Sequence, residues 1–446
     1  MRDEVEELDT EEPEDRLERV AAIDVAKASG KVCTRTSGPS GRRVTRVWDV
    51  GSTTKAIMAL ADQLGDEGIE RVVLESTSDY WRPFYYLLEA RGMLVWLVNA
   101  RDVKNVPGRP KTDKLDAVWL AKLNERGMLR PSFVPPQPLR ELRDYTRLRS
   151  DLVAERSRHA QRLEKLLEDA LIKLSRVADN ILGRSRRDMI ESLIAGERDP
   201  EVLANFARGR MRTKHAQLVE ALTGRFDAHH AELARVLLDS IDALSAKVDL
   251  LTSRIDQLVA DMPEAQAPEV PDGPPAGAVP ASAPLPVIDR LDEVPGIGSR
   301  AAQVIIAEIG LDMAQFPTAG HLVSWAKVAP RTVQSGPKTR SGKPEKGNRY
   351  LKAILAEVAT GAAKTDTFLG ERYRRLVRRR GKQRALVAVS RSILVIVWHL
   401  LADPNARFAD LGPDYYDNRI DKDRRTRNLV RQLNALGLQV TLNPAA

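Results

Sequence analysis

Cysteine is almost missing from this chain: Cys33 is the only one in 446 residues. A disulfide framework and a cysteine-ligated zinc site are therefore excluded. Histidine is scarce as well, six in all and without the spacing of metal ligands. No apolar run approaches the ~18–20 residues of a membrane span. The first residues are acidic rather than basic and apolar, so no signal peptide is expected. Residues 1–19 are also almost free of large apolar groups and read as a flexible acidic tail. With 43% hydrophobic residues, a chain of this length should hold two or three domains, each with its own core. A cytoplasmic protein fits.

What is present in excess is positive charge. The formal net charge is +8, but residues 1–20 carry ten acids and three bases, so the remaining chain is +15. A basic body suggests a polyanionic partner.

From Val20 the pattern becomes regular. Val20 to Asp24, Lys31 to Thr36 and Arg43 to Trp48 read as three strands, separated by Ser29-Gly30 and by Gly38-Pro39-Ser40-Gly41. A helix over about 52–65, a strand Arg71 to Leu74, a helix Tyr80 to Ala90 and a strand Met93 to Val98 follow. A basic loop, Arg101 to Lys111, leads to a helix opened by Thr112 as N-cap. Three hairpin strands followed by β-α units is the order of a ribonuclease-H-like fold. Acids stand at the ends of the first and fourth strands, Asp24 and Glu75. Two more, Asp113 and Asp116, are three residues apart and share one face of the last helix. Four such carboxylates can hold divalent metal for phosphodiester chemistry; ordinary surface acids are the alternative.

Leucines over 138–175 recur at steps of mostly three and four. Over 233–258, Leu237, Ile241, Leu244, Val248, Leu251, Ile255 and Leu258 form a heptad seam. Two long helices with a break at about 176–212 imply either an internal antiparallel pair or an arm that pairs with another subunit. Residues 263–287 are rich in proline and alanine and read as a linker.

Beyond the linker, Val294-Pro295-Gly296-Ile297-Gly298 sits between two helical patterns, as in a helix-hairpin-helix element. Gly296 and Gly298 would let backbone N–H groups approach a phosphate; a plain packing turn is the alternative. Residues 331–352 hold seven bases and one acid. Arg331, Lys338, Arg340, Lys343, Lys346, Asn348 and Arg349 are candidates for nucleic-acid contact. By composition this is a phosphate-binding loop, although a hydroxyl among cations can also be an activated nucleophile. Basic residues then crowd 372–384, and a polar, basic tail fills 404–446.

These motifs together resemble the DEDD insertion-sequence transposases, a family that includes the pilin-gene invertase Piv and bridge-RNA-guided recombinases. Ile23-Asp24-Val25-Ala26-Lys27, Glu75-Ser76-Thr77-Ser78-Asp79-Tyr80-Trp81 and Lys111-Thr112-Asp113-Lys114-Leu115-Asp116-Ala117 match its acid motifs in order. Val294 to Gly298, Ala329-Pro330, Gln334-Ser335-Gly336 and Gly347-Asn348-x-x-Leu351 match its C-terminal block. Ser78, Lys327 and Lys352 depart from the usual residues. The resemblance implies a RuvC-like catalytic domain over 20–135, a coiled-coil arm over 136–262 and a mainly helical C-terminal domain over 288–403. It implies Mg²⁺, two ions per site, at Asp24, Glu75, Asp113 and Asp116. Ser335 is the implied nucleophile, with Ser341 as second candidate. DNA, a structured bridge RNA and a homo-oligomer, dimer or tetramer, are the implied partners, in a prokaryotic cytoplasm. A metal-dependent junction nuclease, which needs the acids but not Ser335, is the alternative activity.

Overall fold

Strands β1 (Val20–Val25), β2 (Ser29–Ser37) and β3 (Arg43–Gly51) form an antiparallel meander. Helix α1 (Thr54–Asp66) follows, capped by the Thr53 hydroxyl, which accepts from the Ala56 N–H. Strand β4 (Arg71–Ser76) returns parallel to β1, and after α2 (Trp81–Ala90), β5 (Val95–Val98) runs parallel to β4. The sheet order is β3-β2-β1-β4-β5, the mixed arrangement expected from the element order. Helix α3 (Asp113–Glu125) completes the unit. The computed structural model describes residues 17–38, 42–76, 78–99, 113–177, 182–267, 285–329, 332–335, 338–341, 347–416, 418–419 and 422–442. It divides into two compact units, residues 1–134 and 135–446.

The period-2 alternation of the strands sorts their side chains onto two faces. Ala21, Ile23 and Val25 of β1 and Val72 and Leu74 of β4 pack with Ile57, Leu60 and Leu64 of α1 and Phe84 and Leu88 of α2. Ala22, Cys33, Val73 and Val98 face the other way, against Ala117, Leu120, Ala121 and Leu123 of α3. Both faces are covered by helices, so the central strands are apolar nearly throughout. Residues 17–19, within the stretch read as a flexible acidic tail, are tied to the first unit. The Leu17 N–H donates to the Glu125 carbonyl at 3.2 Å, and the Glu18 and Arg19 N–H groups donate to the Glu70 carboxylate at 3.0 and 2.8 Å. Residues 1–16, the basic loop 101–111 and the Thr112 cap lie outside the described residues.

The second unit is built on two 33-residue helices, α4 (Gln137–Asp169) and, after three shorter helices, α8 (Ala228–Ala260). They pair antiparallel: Arg254 approaches Glu141, Arg156 approaches Ser245, and Leu163 and Leu167 pack with Ala234, Leu238 and Ile241. The internal pair was one of the two arrangements the heptads allowed. The buried seam of α8 includes Ile241, Val248, Leu251 and Ile255 as expected, but shifts to Ala234 and Leu238 at one end and Val259 at the other. A straight helix drifts against a seven-residue repeat.

The expected break between the long helices is a folded cap. Helices α5 (Arg184–Ile194), α6 (Pro200–Ala204) and α7 (His215–Leu222) enclose Met189, Ile190, Leu193, Leu203 and Leu218 against the ends of α4 and α8. These helices are 5 to 11 residues long, too short to show a period in the sequence.

The proline-rich stretch is described only at its edges; residues 268–284 lie outside the described residues. The last block contains α9 (Val287–Asp292), α10 (Ser299–Ile309), α11 (Ala319–Trp325), the hairpin β6 (Thr332–Ser335) and β7 (Lys338–Ser341), α12 (Arg349–Ala362), α13 (Phe368–Arg380), α14 (Lys382–Ala402) and α15 (Lys422–Ala435). Helix α14 is long and apolar enough to cross a membrane by length and composition, which corrects the reading that no such run exists. Its Ala385, Val389, Ile393, Leu394 and Val397 are buried among the neighbouring helices. Arg290, itself buried, donates to the Leu400 and Asp403 carbonyls at 2.6 and 2.9 Å and so satisfies the end of α14.

Candidate acid site and serine hairpin

Asp24 and Glu75 are direct partners in the parallel register of β1 and β4. Adjacent strands lie about 4.8 Å apart, so the two carboxylates start from neighbouring backbone positions. Their parity is that of Ala22 and Val73, which places both on the face covered by α3. Glu75 is 6% exposed and Asp24 partly buried. The backbone pairing, not a flexible loop, sets their spacing.

The direction of α3 sets the level of Asp116. Near its C-terminal end, the Asn124 amide donates to the Ala21 and Arg71 carbonyls at 3.0 and 3.2 Å. Arg71 in turn donates to Asn124 Oδ1 at 2.7 Å and to its carbonyl at 2.8 Å, and its guanidinium lies over Trp96 at 3.8 Å. Burial pushes the Arg71 guanidinium below its usual range. Glu125 joins Arg35 at 2.6 Å and Arg43 at 3.0 Å. The C-terminal end of α3 is thus riveted to the N-terminal ends of β1 and β4, and α3 runs antiparallel to both. From Asn124 back to Asp116 is eight helical residues, ~12 Å at about 1.5 Å each. From Ala21 on to Asp24 is three strand residues, ~10 Å at about 3.3 Å each. Asp116 therefore reaches the level of Asp24 and Glu75. Asp113 opens α3 one turn earlier; its side chain is outside the described residues.

Hard oxygen donors from rigid elements suit Mg²⁺ and similar hard cations. Among the described residues, the group of three whose ligand atoms lie close enough to share an ion is Asp227, His229 and His230; Asp24, Glu75 and Asp116 do not form such a group. Its geometry is that of a helix cap. The Nδ1 of His230 accepts from the Asp227 N–H at 3.1 Å. The neutral ring then carries its proton on Nε2, 3.5 Å from the Asp169 carboxylate. The Asn124–Arg71 rivet and this cap left no mark in the sequence beyond single polar residues in apolar company.

In the second unit, Ser335 pairs with Lys338 beside the turn of the β6–β7 hairpin, whereas Ser341 pairs with Thr332 at its open end. Three strand residues, ~10 Å at about 3.4 Å each, separate a position at one end from one at the other. The two serines are not interchangeable in place. Arg331, Lys343 and Lys346, and the side chains of Ser335, Lys338, Arg340 and Ser341, lie outside the described residues.

The segment leading into α12 is packed tightly. A Cβ on Gly347 would meet the Ala326 carbonyl at 2.8 Å and Lys327 Cβ at 3.0 Å, and Lys327 itself has a left-handed φ of 56°. Burial, then the charge of Lys327, holds the Lys352 ammonium below its usual range. Asn348 caps α12, accepting from the Tyr350 and Leu351 N–H groups at 3.0 and 3.2 Å, and donates to Glu308. Glu308 is fully buried and takes both arms of Arg147 at 2.7 and 2.8 Å, with Arg143 at 3.5 Å. Arg349 pairs with Asp151 at 3.3 Å. Asn348 and Arg349, singled out for nucleic-acid contact, are therefore engaged with protein groups. Gly296 has φ +90°, and a Cβ there would meet the Val358 carbonyl at 2.4 Å; it is needed for the close approach of α12. Gly298 is exposed at the N-cap of α10.

A sheet that gathers carboxylates at one level beneath a riveted helix is the frame of a nuclease-like domain that works with divalent metal. A family profile for DEDD transposases of the IS110 type matches residues 21–172, and one for the IS116/IS110/IS902 transposase family matches residues 288–374. The 43.6 kDa protein of insertion element IS110 from Streptomyces coelicolor is 30% identical over 309 residues, 67% of this chain and 72% of that one. The chain belongs to the IS110 family of DEDD transposases, which are DNA transposase enzymes. Two structures of Thermus thermophilus RuvC, one with a Holliday junction substrate, are 12% and 14% identical to it. They cover 26% of this chain and 100% and 99% of their own, at a TM-score of 0.21, too slight a likeness to argue from.

Proposed function

We propose that this transposase cuts and rejoins DNA strands with a carboxylate-held metal site and a serine nucleophile. Asp24, Glu75, Asp113 and Asp116 would hold Mg²⁺, two ions in the fullest form. When bound, the metal supplies charge for the scissile phosphate and for the attacking and leaving oxygens. The observation that carries the reading is the Asp24–Glu75 register, with Asp116 at the same level.

Ser335 is the proposed nucleophile. Its Oγ forms a bond to phosphorus as the bond to one DNA oxygen breaks. The hydroxyl proton passes to solvent or a nearby base, and the leaving DNA oxygen takes one up. A DNA hydroxyl on another strand then attacks the serine phosphoester, releasing Ser335 and completing exchange without net hydrolysis. The cations around the hairpin offset the charge that builds up on phosphorus. Glycines at 296 and 298 and bases at 331, 338, 340, 343 and 346 hold phosphate backbone in this reading. A structured bridge RNA selects the target by base pairing, as the resemblance implies, and the protein works as a homo-oligomer.

Recombination between donor and target plasmids carrying the element's flanking DNA tests both parts. Wild type is compared with Asp24→Ala, Asp113→Ala and Ser335→Ala. Loss in all three, with a DNA–protein adduct that survives denaturing gels only when Ser335 is present, is the expected result. Cleavage that persists in Ser335→Ala but ends in Asp24→Ala sinks the serine step and leaves a metal-dependent nuclease.

A further inference from the structure

The bases absorbed into that function fall within residues 331–346 of the sequence; a further cluster of arginines lies on α13 and after it. Between α13 and α15 is a cavity of about 750 Å³ lined by six arginines and a single acid, Glu371. Arg375, Arg378 and Arg379 stand at i, i+3 and i+4 on one face of α13. Arg425, Asn428 and Gln432 line it from one face of α15. The one acid is engaged, since Glu371 accepts from Arg374 at 3.0 Å.

An aromatic clasp shapes one wall of this cavity. Phe368 stacks on Tyr416 at 5.5 Å and meets Tyr415 edge-on at 4.9 Å. Arg372 donates to the Tyr416 hydroxyl at 3.0 Å, and Arg375 lies over the Tyr416 ring at 4.6 Å. Arg419 lies over Tyr415 at 4.5 Å. These contacts hold the segment after α14 onto α13 and keep Arg419 beside the cavity. The rings are already used by Phe368 and by guanidinium groups, so base stacking is not what they offer.

Two arginine faces turned toward one another across water repel, and a polyanion between them removes that repulsion. Guanidinium groups match phosphate oxygens in geometry as well as charge. The basic ridge also runs on past the cavity through the exposed Arg380, Lys382 and Arg384, which suits a polymer better than a small anion. We propose that the α13–α15 cavity is a clamp for the phosphodiester backbone of a nucleic-acid strand, independent of base sequence. The clamp rests on the strand-transfer reading above, but its six arginines, from Arg375 on, lie beyond residue 374, where the second family match ends.

The test uses the full chain and fluorescence anisotropy over a range of salt. The probes are a 20-nucleotide single-stranded RNA and a 20-base-pair DNA duplex of arbitrary sequence. The triple variant Arg378→Gln, Arg379→Gln, Arg425→Gln is compared with the matching triple lysine variant. Each lost phosphate contact lowers the slope of log affinity against log salt by about 0.7–0.9. The glutamine variant should therefore lose about two to three in slope and at least about tenfold in affinity, while the lysine variant keeps the slope. An effect on one probe alone identifies RNA or DNA as the occupant. A glutamine variant that binds both probes as wild type does overturns the clamp while the strand-transfer reading stands. Wild type that binds neither probe overturns both. If the glutamine variant fails to fold by circular dichroism, a chain ending at Arg419 removes α15 and should show the same loss of slope.

Discussion

The acid face of the first unit and the arginine face of the second are built by opposite means. Asp24 and Glu75 sit on buried, paired strands, and α3 is fixed over them by Asn124, Arg71 and Glu125. The arginines of α13 and α15 stand on solvent-facing helix turns, held mainly by an aromatic clasp. The difference follows from what each must bind. A metal needs its donors within tenths of an ångström, so the backbone itself must set them. A phosphate backbone needs charge density, which flexible guanidinium groups supply without a fixed frame. Between the two extremes lies Glu308, a buried charge that ties Arg143 and Arg147 of α4 to Asn348, the N-cap of α12.

Substitutions can break this contrast. The largest effect is expected for Asp24→Asn or Glu75→Gln, which keep shape and remove charge. Strand transfer should fall by about 100–1,000-fold or more with no loss of thermal stability, read by plasmid recombination alongside melting curves. Unfolding instead of inactivity would show that the acids hold the fold together. Glu308→Ala comes next. It removes the buried carboxylate shared by the half-buried Arg147 and Arg143 and should cost at most about 3–5 kcal/mol, read as a lower urea midpoint, with Glu308→Gln recovering part. Asn124→Ala should cost about 1–3 kcal/mol by removing the side-chain acceptor of the buried Arg71 and the amide that donates to the Ala21 and Arg71 carbonyls. It should also lower strand transfer although every acid remains, because α3 loses its anchor. Unchanged transfer at equal stability would mean the rivet does not position Asp116.

The smallest effect concerns pH. Burial pushes the Cys33 thiol from an ordinary 9.0 to about 11. The folded chain therefore keeps this proton where the unfolded chain has lost it, and the stability tied to Cys33 declines as pH rises from about 9 toward 11. Below that window Cys33 should react with a thiol reagent only as fast as the chain opens. Rapid labelling of folded protein at pH 8 would show that the face beneath α3 is looser than the acid site requires.

Much of the frame was legible in the residues. Alternation marked the strands, and their order predicted a mixed sheet. The position of Asp24 and Glu75 at strand ends, and of Asp116 on the following helix, was visible because period-2 and period-3.6 patterns are local. The heptads of 233–258 likewise announced a long helix, though its buried seam drifts. The cap between the long helices was hidden, because each of its helices is too short to show a period. Asn348 and Arg349 read as phosphate ligands in a basic loop; their partners within the protein, the buried Glu308 and the half-exposed Asp151, lie far away in sequence and could not be read there.

The sequence by itself determined which elements form, which residues carry charge, and that carboxylates and a serine-bearing basic loop belong to one chain. Only the tertiary structure decided that Asp24 stands opposite Glu75 in the sheet, that α3 runs against the strands with its C-terminal end fixed to their N-terminal ends, and that α13 and α15 turn their arginines toward one cavity. Periodicity records which face of an element is apolar. The partner of that face, and the direction from which it arrives, depends on contacts such as Asn124 with Ala21, 103 residues apart, which no local pattern encodes.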